Sequence, residues 1–204
     1  MKLIDLTHTL FDKMPVFPGD ESPELLQVSF ESVDGFNAFY LNSSLHAGTH
    51  MDAPLHIQPS GKFMAEFPVE LFTSKAVVID VNDNELVEFD ENWIEFITET
   101  EAVLFRTLHS EKWNTPEYYG NYPLFSEKIA EKLKEFKIRI VGFDSPSPDK
   151  EPFLFHKTFL KGNSFMIENL TNLHLIPEKT IFTLFSFPLK INAEASLIRA
   201  VAGI

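Results

Sequence analysis

The N-terminal part of the chain, up to Phe67, carries short runs in which apolar and polar residues alternate. Such alternation is typical of half-buried strands, and it predicts strands at residues 2–10, 25–30 and 36–45. A turn-rich segment at residues 14–20, with two prolines and a glycine, separates the first two. Because the connections are too short for crossovers, we expect a β-rich, antiparallel N-terminal part.

After Phe67 the pattern changes to short apolar runs separated by longer amphipathic segments. The apolar runs are of the kind found in strands that are buried on both faces. They predict five strands, at residues 76–81, 102–107, 138–143, 164–168 and 180–187.

Two segments between these strands have helical spacing. Asp90 is predicted to cap the first helix and Ser126 the second. The apolar residues fall on one face of each helix, namely Trp93, Phe96 and Ile97 in the first and Ile129, Leu133 and Phe136 in the second. A βαβαβ order implies right-handed crossovers and a parallel central sheet. We therefore expect a mixed α/β fold in one domain spanning residues 1–204.

Composition narrows the class of protein. The chain has 204 residues, 44% of them apolar, with 21 phenylalanines, which argues against disorder. A net charge of −13 disfavours nucleic acid and anionic membranes as partners. Without cysteine there are no disulfides, thiolate zinc sites or thiol nucleophiles. Asp5 interrupts the position where a signal peptide would be apolar, so we expect a cytoplasmic protein without a membrane partner.

The densest chemistry lies in one segment, His46-Ala-Gly-Thr-His50-Met-Asp52-Ala-Pro-Leu-His56, which holds three of the seven histidines. Imidazole and carboxylate side chains bind borderline divalent cations. In an extended strand His46 and His50 would lie roughly 13 Å apart at ~3.3 Å per residue. Ligands of one ion lie only ~2.1 Å from it, so the chain must bend at Ala47 and Gly48. Since Pro54 should prevent a helix through His56, we expect a metal-binding loop.

A second group of candidate ligands lies further along the chain. His156 follows a proline-rich loop, and Glu168 ends an apolar run. Burying that carboxylate without a partner would be costly, and a metal ion would be one partner, although many strands end in a solvated glutamate. Asp144 and Asp149, at the two ends of that loop, are predicted to be loop-capping residues and not ligands.

The histidine segment resembles the His-x-Gly-Thr-His-x-Asp-x-Pro-x-His signature of the Putative cyclase family of metal-dependent hydrolases. That family includes bacterial kynurenine formamidase and isatin hydrolase. The similarity extends along most of the chain, through Phe17-Pro-Gly-Asp20, Arg106-Thr107, Gly142-Phe-Asp-Ser-Pro146, Glu168-Asn-Leu170 and Arg199-Ala-Val201.

The resemblance implies a swivelling β/β/α domain, a dimer or tetramer, and a set of site residues. The implied metal ligands are His46, His50, Asp52, His156 and Glu168, holding one or two zinc ions or a manganese ion. His56 would be the general base or acid, and Phe17 would line the pocket of the small-molecule substrate.

The implied chemistry is hydrolysis of an amide or formamide C–N bond. A bound metal lowers the pKa of water from ~15.7 towards about 7, and His56 could move the protons. The leading expectation is an arylformamidase, which converts N-formylkynurenine to kynurenine and formate. Phe17 and Ile57 differ from the tryptophan and phenylalanine that many members carry. A cyclic amide or imide, as in isatin, or a related cyclase substrate therefore remains an alternative.

Two other classes of protein stay open. His50, Asp52 and His156 also match the two-histidine, one-carboxylate set of non-haem iron oxygenases, although these commonly have all-β barrels. The other alternative is a non-catalytic module that binds a metal or a ligand.

Overall fold

The computed structural model describes residues 1–81 and 86–204. Within these residues there are thirteen strands: β1 (Leu3–Asp5), β2 (Glu24–Ser29), β3 (Ala38–Asn42), β4 (His50–Asp52), β5 (Thr73–Asp80), β6 (Leu86–Val87), β7 (Ala102–Arg106), β8 (Leu124–Phe125), β9 (Ile140–Phe143), β10 (Phe165–Glu168), β11 (Phe182–Phe185), β12 (Ala195–Leu197) and β13 (Val201–Gly203).

The described helices are short: α1 (Glu31–Asp34), α2 (Ile94–Ile97), α3 (Glu127–Glu135) and α4 (Leu154–Phe159). Single 3₁₀ turns add to them, at Pro54–His56, Met64–Glu66, Val69–Phe72, Glu91–Trp93, His109–Lys112 and Leu173–Leu175. None of the helices in the described ranges is long and apolar enough to cross a membrane.

Nine of the described strands form one mixed sheet in the order β1-β13-β11-β5-β7-β9-β10-β4-β12. Its centre, from β5 through β7 and β9 to β10, is parallel, and the strands on both sides are antiparallel. The predicted mixed α/β fold is confirmed. The parallel section contains one strand more than the predicted βαβαβ unit, because α4 returns the chain to place β10 beside β9.

The central strands are apolar throughout because both faces of the sheet are covered. In β5, Ala76 and Val78 pack into one core while Val77 and Ile79 pack into the other. The second core also contains Ile129 of α3. A strand with two buried faces cannot alternate with polar residues, which explains the continuous apolar runs.

The N-terminal part is β-rich, as predicted, but its longest strands leave the main sheet. β2 and β3 form a separate antiparallel hairpin, connected through α1, in which Leu26 pairs with Tyr40. The hairpin leaves large apolar side chains exposed, including Phe39 at 60% and Tyr40 at 62%. The strand predicted at residues 2–10 is only β1, three residues long.

The prediction of a loop for the histidine segment is wrong in part. The chain does bend at Gly48, which has a φ of +65°, but residues 50–52 form strand β4 between β10 and β12. The strands on both sides provide hydrogen-bond partners for the backbone of β4. A sequence pattern cannot reveal which strands become neighbours. Pro54 does not prevent a helical turn either. It is the first residue of the 3₁₀ turn Pro54–His56, where a missing N–H has no cost.

The two predicted helix caps differ in outcome. The Asp90 side chain accepts a hydrogen bond from the Asn92 backbone N–H at 2.9 Å, as an N-cap should. Ser126 does precede α3, but its hydroxyl makes no capping hydrogen bond. The predicted position of the second helix is therefore correct, and the predicted cap is not.

Candidate metal centre

Strand pairing brings the first candidate ligands together. β4 runs antiparallel to β10, with His50 opposite Glu168 and Asp52 opposite Met166. Residues two apart on a strand point to the same face, and directly opposite residues share a face. His50, Asp52 and Glu168 therefore project from one face of the sheet.

The remaining predicted residues surround this trio. His50 Nε2 lies 3.5 Å from Asp52 Oδ1 and 3.4 Å from Glu168 Oε2. His46 Nδ1 lies 3.1 Å from Asp52 Oδ1, and His156 Nε2 lies 3.5 Å from Glu168 Oε1. The ring of His56 is centred 4.6 Å from the ring of His46 and 5.9 Å from that of His156.

Polar atoms in this cluster are buried without hydrogen-bond partners. Among the described residues, none donates to or accepts from His50 Nε2, both carboxylate oxygens of Asp52, or Glu168 Oε1. Leaving such groups unpaired away from water would cost roughly 2–7 kcal/mol for a neutral polar group and more for an ionised carboxylate. The atoms converge on a common space, so the residues fit a divalent metal ion bound by imidazole and carboxylate.

The ligand atoms form two overlapping sets. His46, Asp52 and His56 offer atoms within 4.8 Å of one another, and His50, Asp52 and Glu168 do the same. Asp52 belongs to both sets. The geometry therefore has room for either one ion or two that share the Asp52 carboxylate, and His56 lies close enough to be a ligand of one of them.

Hydrogen bonds fix the orientation of two of the histidines. His50 Nδ1 lies 2.9 Å from the carbonyl oxygen of Gly48, and because that oxygen only accepts, Nδ1 carries the hydrogen. His156 Nδ1 lies 2.5 Å from Asp149 Oδ1. Both rings therefore turn Nε2 to the centre, where its lone pair is available to a metal once no proton occupies it, and this is the usual orientation of a histidine ligand.

Asp149 has a larger role than the predicted loop cap. Its Oδ2 accepts from the backbone N–H groups of Phe155 at 2.8 Å and His156 at 3.3 Å, so it ties the start of α4 to the loop. Its other oxygen holds the His156 ring. An aspartate seven residues before a candidate ligand belongs to no recognised motif. The sequence could therefore predict the capping role of Asp149 but not its contact with the His156 ring.

Asn169 is a supporting residue that lies in the match Glu168-Asn-Leu170, although the sequence indicated no role for it. Its side chain accepts from the Tyr118 hydroxyl at 2.8 Å and donates to the Gly48 carbonyl at 2.9 Å. Its own carbonyl accepts from the Thr49 hydroxyl at 2.6 Å. It thus connects β10 to the bend that carries His50, and its φ of +57° suits asparagine.

Asp144 lies outside the cluster and caps a loop, but that loop is the turn after β7 and not the one that Asp144 itself begins. It accepts from the Thr107 backbone N–H at 2.9 Å, the Thr107 hydroxyl at 2.6 Å and the Leu108 N–H at 2.9 Å. Burial raises the pKa of Asp144 to about 6, against the effect of these hydrogen bonds. Its oxygens hold the turn after β7.

The protonation of the cluster reflects its carboxylates. Burial lowers the pKa of His46 and His156, but nearby carboxylates outweigh burial and raise the pKa to about 9 and about 10 respectively. For Asp52 and Glu168, burial opposes ionisation, while neighbouring histidines hold the pKa of each below its usual value. Desolvation of the packed side of the His56 ring lowers its pKa. The metal-free centre therefore holds protons that a cation would replace.

A cavity of about 330 Å³ opens above the cluster. Four of the five candidate ligands form its floor, and the apolar walls include Phe17, Tyr119, Phe153 and Ile57. Phe17 is 42% exposed and meets the Tyr119 ring edge-on at 6.2 Å between centroids. The structure thus brings six of the seven predicted site residues to the lining of one cavity, with His56 exposed to it. The seventh, Asp52, lies beneath the lining, within 3.5 Å of His46 and His50.

Comparison with known proteins identifies the family of the chain. A family model described as Putative cyclase matches residues 4–150. The kynurenine formamidase of Bacillus mycoides (strain KBAB4) is 31% identical over 205 residues, which cover 97% of this chain and 95% of that protein.

Solved structures share the fold. An isatin hydrolase bound to the product analogue thioisatinate superposes with a TM-score of 0.89 at 23% identity, over 98% of this chain and 91% of that chain. Isatin hydrolase A from Labrenzia aggregata, bound to benzyl benzoate, superposes with a TM-score of 0.84 at 26% identity, over 98% and 93%. The chain belongs to the Putative cyclase family.

Proposed function

We propose that this protein is a metal-dependent hydrolase of amide C–N bonds, and that its substrate is N-formylkynurenine, which it converts to kynurenine and formate. The observation that carries the proposal is the convergence of buried, unpaired nitrogen and carboxylate atoms on the floor of an aromatic-walled cavity. The 31% identity to a kynurenine formamidase over nearly the whole chain supports the choice of substrate.

The metal ligands that we propose are His46, His50, Asp52, His156 and Glu168. A set of imidazole and carboxylate ligands suits zinc, and the two carboxylates in the set also allow manganese. Asp52 belongs to both ligand sets, so two ions would share it. Zinc is the metal we favour, in one or two sites.

The bound cation supplies polarisation of the substrate carbonyl and lowers the pKa of water in the site. The chain supplies the rest. His56 is the exposed imidazole of the group and faces the cavity, so it is placed to take a proton from the attacking water and to pass one to the leaving nitrogen. Water adds to the formyl carbon, the C–N bond breaks, and the products are formate and the free amine.

The cavity wall supports an aromatic substrate. Phe17, Tyr119 and Phe153 surround the space above the ligands, and aromatic rings pack well edge-on or offset against one another. A cyclic amide such as isatin would use the same walls and the same floor. It is the second candidate substrate because of the structural similarity to isatin hydrolases.

A substrate screen tests the proposal. The chelated protein is reloaded with Zn²⁺ or Mn²⁺ and assayed with N-formylkynurenine, isatin and small cyclic imides. We expect N-formylkynurenine to react fastest. Oxygen uptake by the iron-loaded protein, with no hydrolysis, would identify an oxygenase instead. Metal retention with no hydrolysis of any amide or ester would identify a binding module.

We also propose that the protein is a homodimer or tetramer in the cytoplasm. The β2–β3 hairpin exposes Leu26 and Tyr40 on one face and Phe39 on the other, and monomers rarely leave large apolar surfaces uncovered. We place a second copy of the chain on this hairpin. Light scattering should give a dimer mass or larger, and Phe39→Asp with Tyr40→Asp should give a monomer. Cell fractionation checks the compartment.

A further inference from the structure

The proposed histidine ligands differ in how the structure holds them. His50 and His156 each present Nε2 to the centre, and each has Nδ1 held by a buried group, the Gly48 carbonyl or the Asp149 carboxylate. His46 has the opposite orientation. Its Nδ1 faces Asp52 Oδ1 at 3.1 Å, and its Nε2 points outwards.

Glu194 meets the outward nitrogen of His46. Its Oε1 lies 3.3 Å from His46 Nε2, and its side chain is 39% exposed. A carboxylate at neutral pH only accepts hydrogen bonds, so this contact requires a hydrogen on Nε2, and Nδ1 is the atom whose proton a cation would replace. No motif contains Glu194, and the sequence gives no signal for it.

The backbone of Glu194 is fixed relative to the centre. Its carbonyl accepts from the Ala53 N–H at 2.8 Å, and the next residue, Ala195, pairs with Asp52 in the β12–β4 ladder. The carboxylate therefore extends from the residue just before β12, which is hydrogen-bonded to the strand of two proposed ligands. This arrangement places Glu194 beside His46 through the sheet itself.

We propose that Glu194 is a positioning residue for the metal centre, which holds His46 by Nε2 so that Nδ1 faces the ion. The proposal rests on the metal site proposed above. It gives each of the three histidine ligands its own partner, and it makes Glu194 the one partner that solvent reaches. The Glu194 contact is the longest of the three, so its loss should weaken metal binding without abolishing it.

Metal affinity tests the role of Glu194 independently of activity. Zn²⁺ dissociation constants are measured by competition with a chromophoric chelator for the wild type, Glu194→Ala and Glu194→Gln. Loss of an outer partner of a ligand typically costs 10–100-fold in affinity. We expect a loss in this range for Glu194→Ala. Glu194→Gln should stay close to the wild type because its amide oxygen still accepts from Nε2.

Two controls accompany the affinity measurement. Glu95→Ala removes an exposed carboxylate from α2 and should leave the affinity unchanged, which controls for net charge. Thermal unfolding of the metal-free variants shows whether Glu194→Ala still folds. Nitrogen-15 NMR of the zinc-loaded wild type needs no variant, and it should show His46 protonated on Nε2 and His50 and His156 protonated on Nδ1.

Several results would overturn the role of Glu194: wild-type affinity in Glu194→Ala, an equal loss in Glu194→Gln and Glu194→Ala, or a His46 ring protonated on Nδ1. A wild type that binds no divalent metal would overturn the proposed function as well. The two failures are thus distinguishable, since the first set leaves metal binding by the wild type intact.

Discussion

At the scale of single residues, the site is defined by polar atoms that the fold leaves unsatisfied. Asp52 is fully buried, and neither of its oxygens has a hydrogen-bond partner among the described residues. His56 differs because it is exposed to the cavity. Substitution of Asp52 and substitution of His56 should therefore have different effects on metal binding and activity.

Asp52→Ala and His56→Ala separate metal binding from proton transfer. Asp52→Ala should lose both metal and hydrolysis, because Asp52 belongs to both ligand sets. His56→Ala should keep the metal and lose roughly 10²–10⁴-fold in kcat, the range of general acid–base catalysis. Elemental analysis and kinetics on the same samples check both. Loss of metal from His56→Ala would instead make His56 a ligand.

His8 should make the stability of the fold depend on pH. It stacks on Trp113 at 3.9 Å, and burial lowers its pKa from 6.5 to about 4. The pKa of His8 is lower in the folded protein than in the unfolded protein. The neutral ring therefore contributes its full stabilisation of the fold above pH 6.5. This stabilisation, up to about 3 kcal/mol, is lost as the pH falls through 4.

The measurement for His8 compares denaturant unfolding of the wild type and His8→Phe between pH 7 and pH 4. Phenylalanine keeps the stacking on Trp113 and cannot take a proton. The free energy of unfolding should fall less steeply for His8→Phe, since all other titrating groups are shared. Parallel curves for the two proteins would show that His8 is not buried as described.

At the scale of elements, the site depends on which strands become neighbours. The apolar runs predict β5, β7, β9 and β10, because a strand that is buried on both faces is apolar throughout. The helical spacing of apolar residues predicts α3, because only one face of that helix is buried. β4 has no such signal. Its three residues, His50–Asp52, are a strand only because β10 and β12 pair with it, and that pairing is set by tertiary contacts.

The attachment of α4 to its loop gives a prediction at this scale. Asp149 accepts from two N–H groups at the start of α4 and from the His156 ring. Asp149→Ala should lower the free energy of unfolding of the metal-free protein by about 1–3 kcal/mol, because buried donors lose their acceptor. Asp149→Asn should lose less. Hydrogen exchange should show faster opening of residues 154–159, and unchanged exchange there would refute the link.

At the scale of the whole molecule, the motif allowed the convergence of the ligands to be predicted. The residues that hold the ligands in place could not be predicted. The signature places His46, His50 and Asp52 together, and family resemblance adds His156 and Glu168. Asn169, Tyr118 and Glu194 enter through contacts between residues far apart in sequence. No local pattern encodes such contacts, which is why the sequence did not reveal them.

The charge of the cavity predicts which substrates it prefers. Among the described residues that line it, none is lysine or arginine, whereas Asp20 stands at the wall in the same turn as Phe17. The chain as a whole carries a charge of −13. Away from the proposed metal ligands, an α-carboxylate on the substrate therefore meets no lysine or arginine side chain, while an ammonium group meets Asp20.

Kinetics on matched substrates measure this preference. N-formylkynurenine without its α-carboxylate should have an equal or lower KM. Removal of the amino group instead should raise KM, and Asp20→Asn should cancel that difference. The N-formyl derivative of plain aniline serves as the neutral reference. A KM that rises sharply only on loss of the carboxylate would contradict this view of the cavity.

The most direct test of the central claim is a metal titration of the chelated protein. Activity towards N-formylkynurenine should vanish on removal of the metal and return in proportion to added Zn²⁺, saturating at one or two equivalents per chain. The same titration of Asp52→Ala should restore nothing. Full activity in protein shown by elemental analysis to be metal-free would contradict the account.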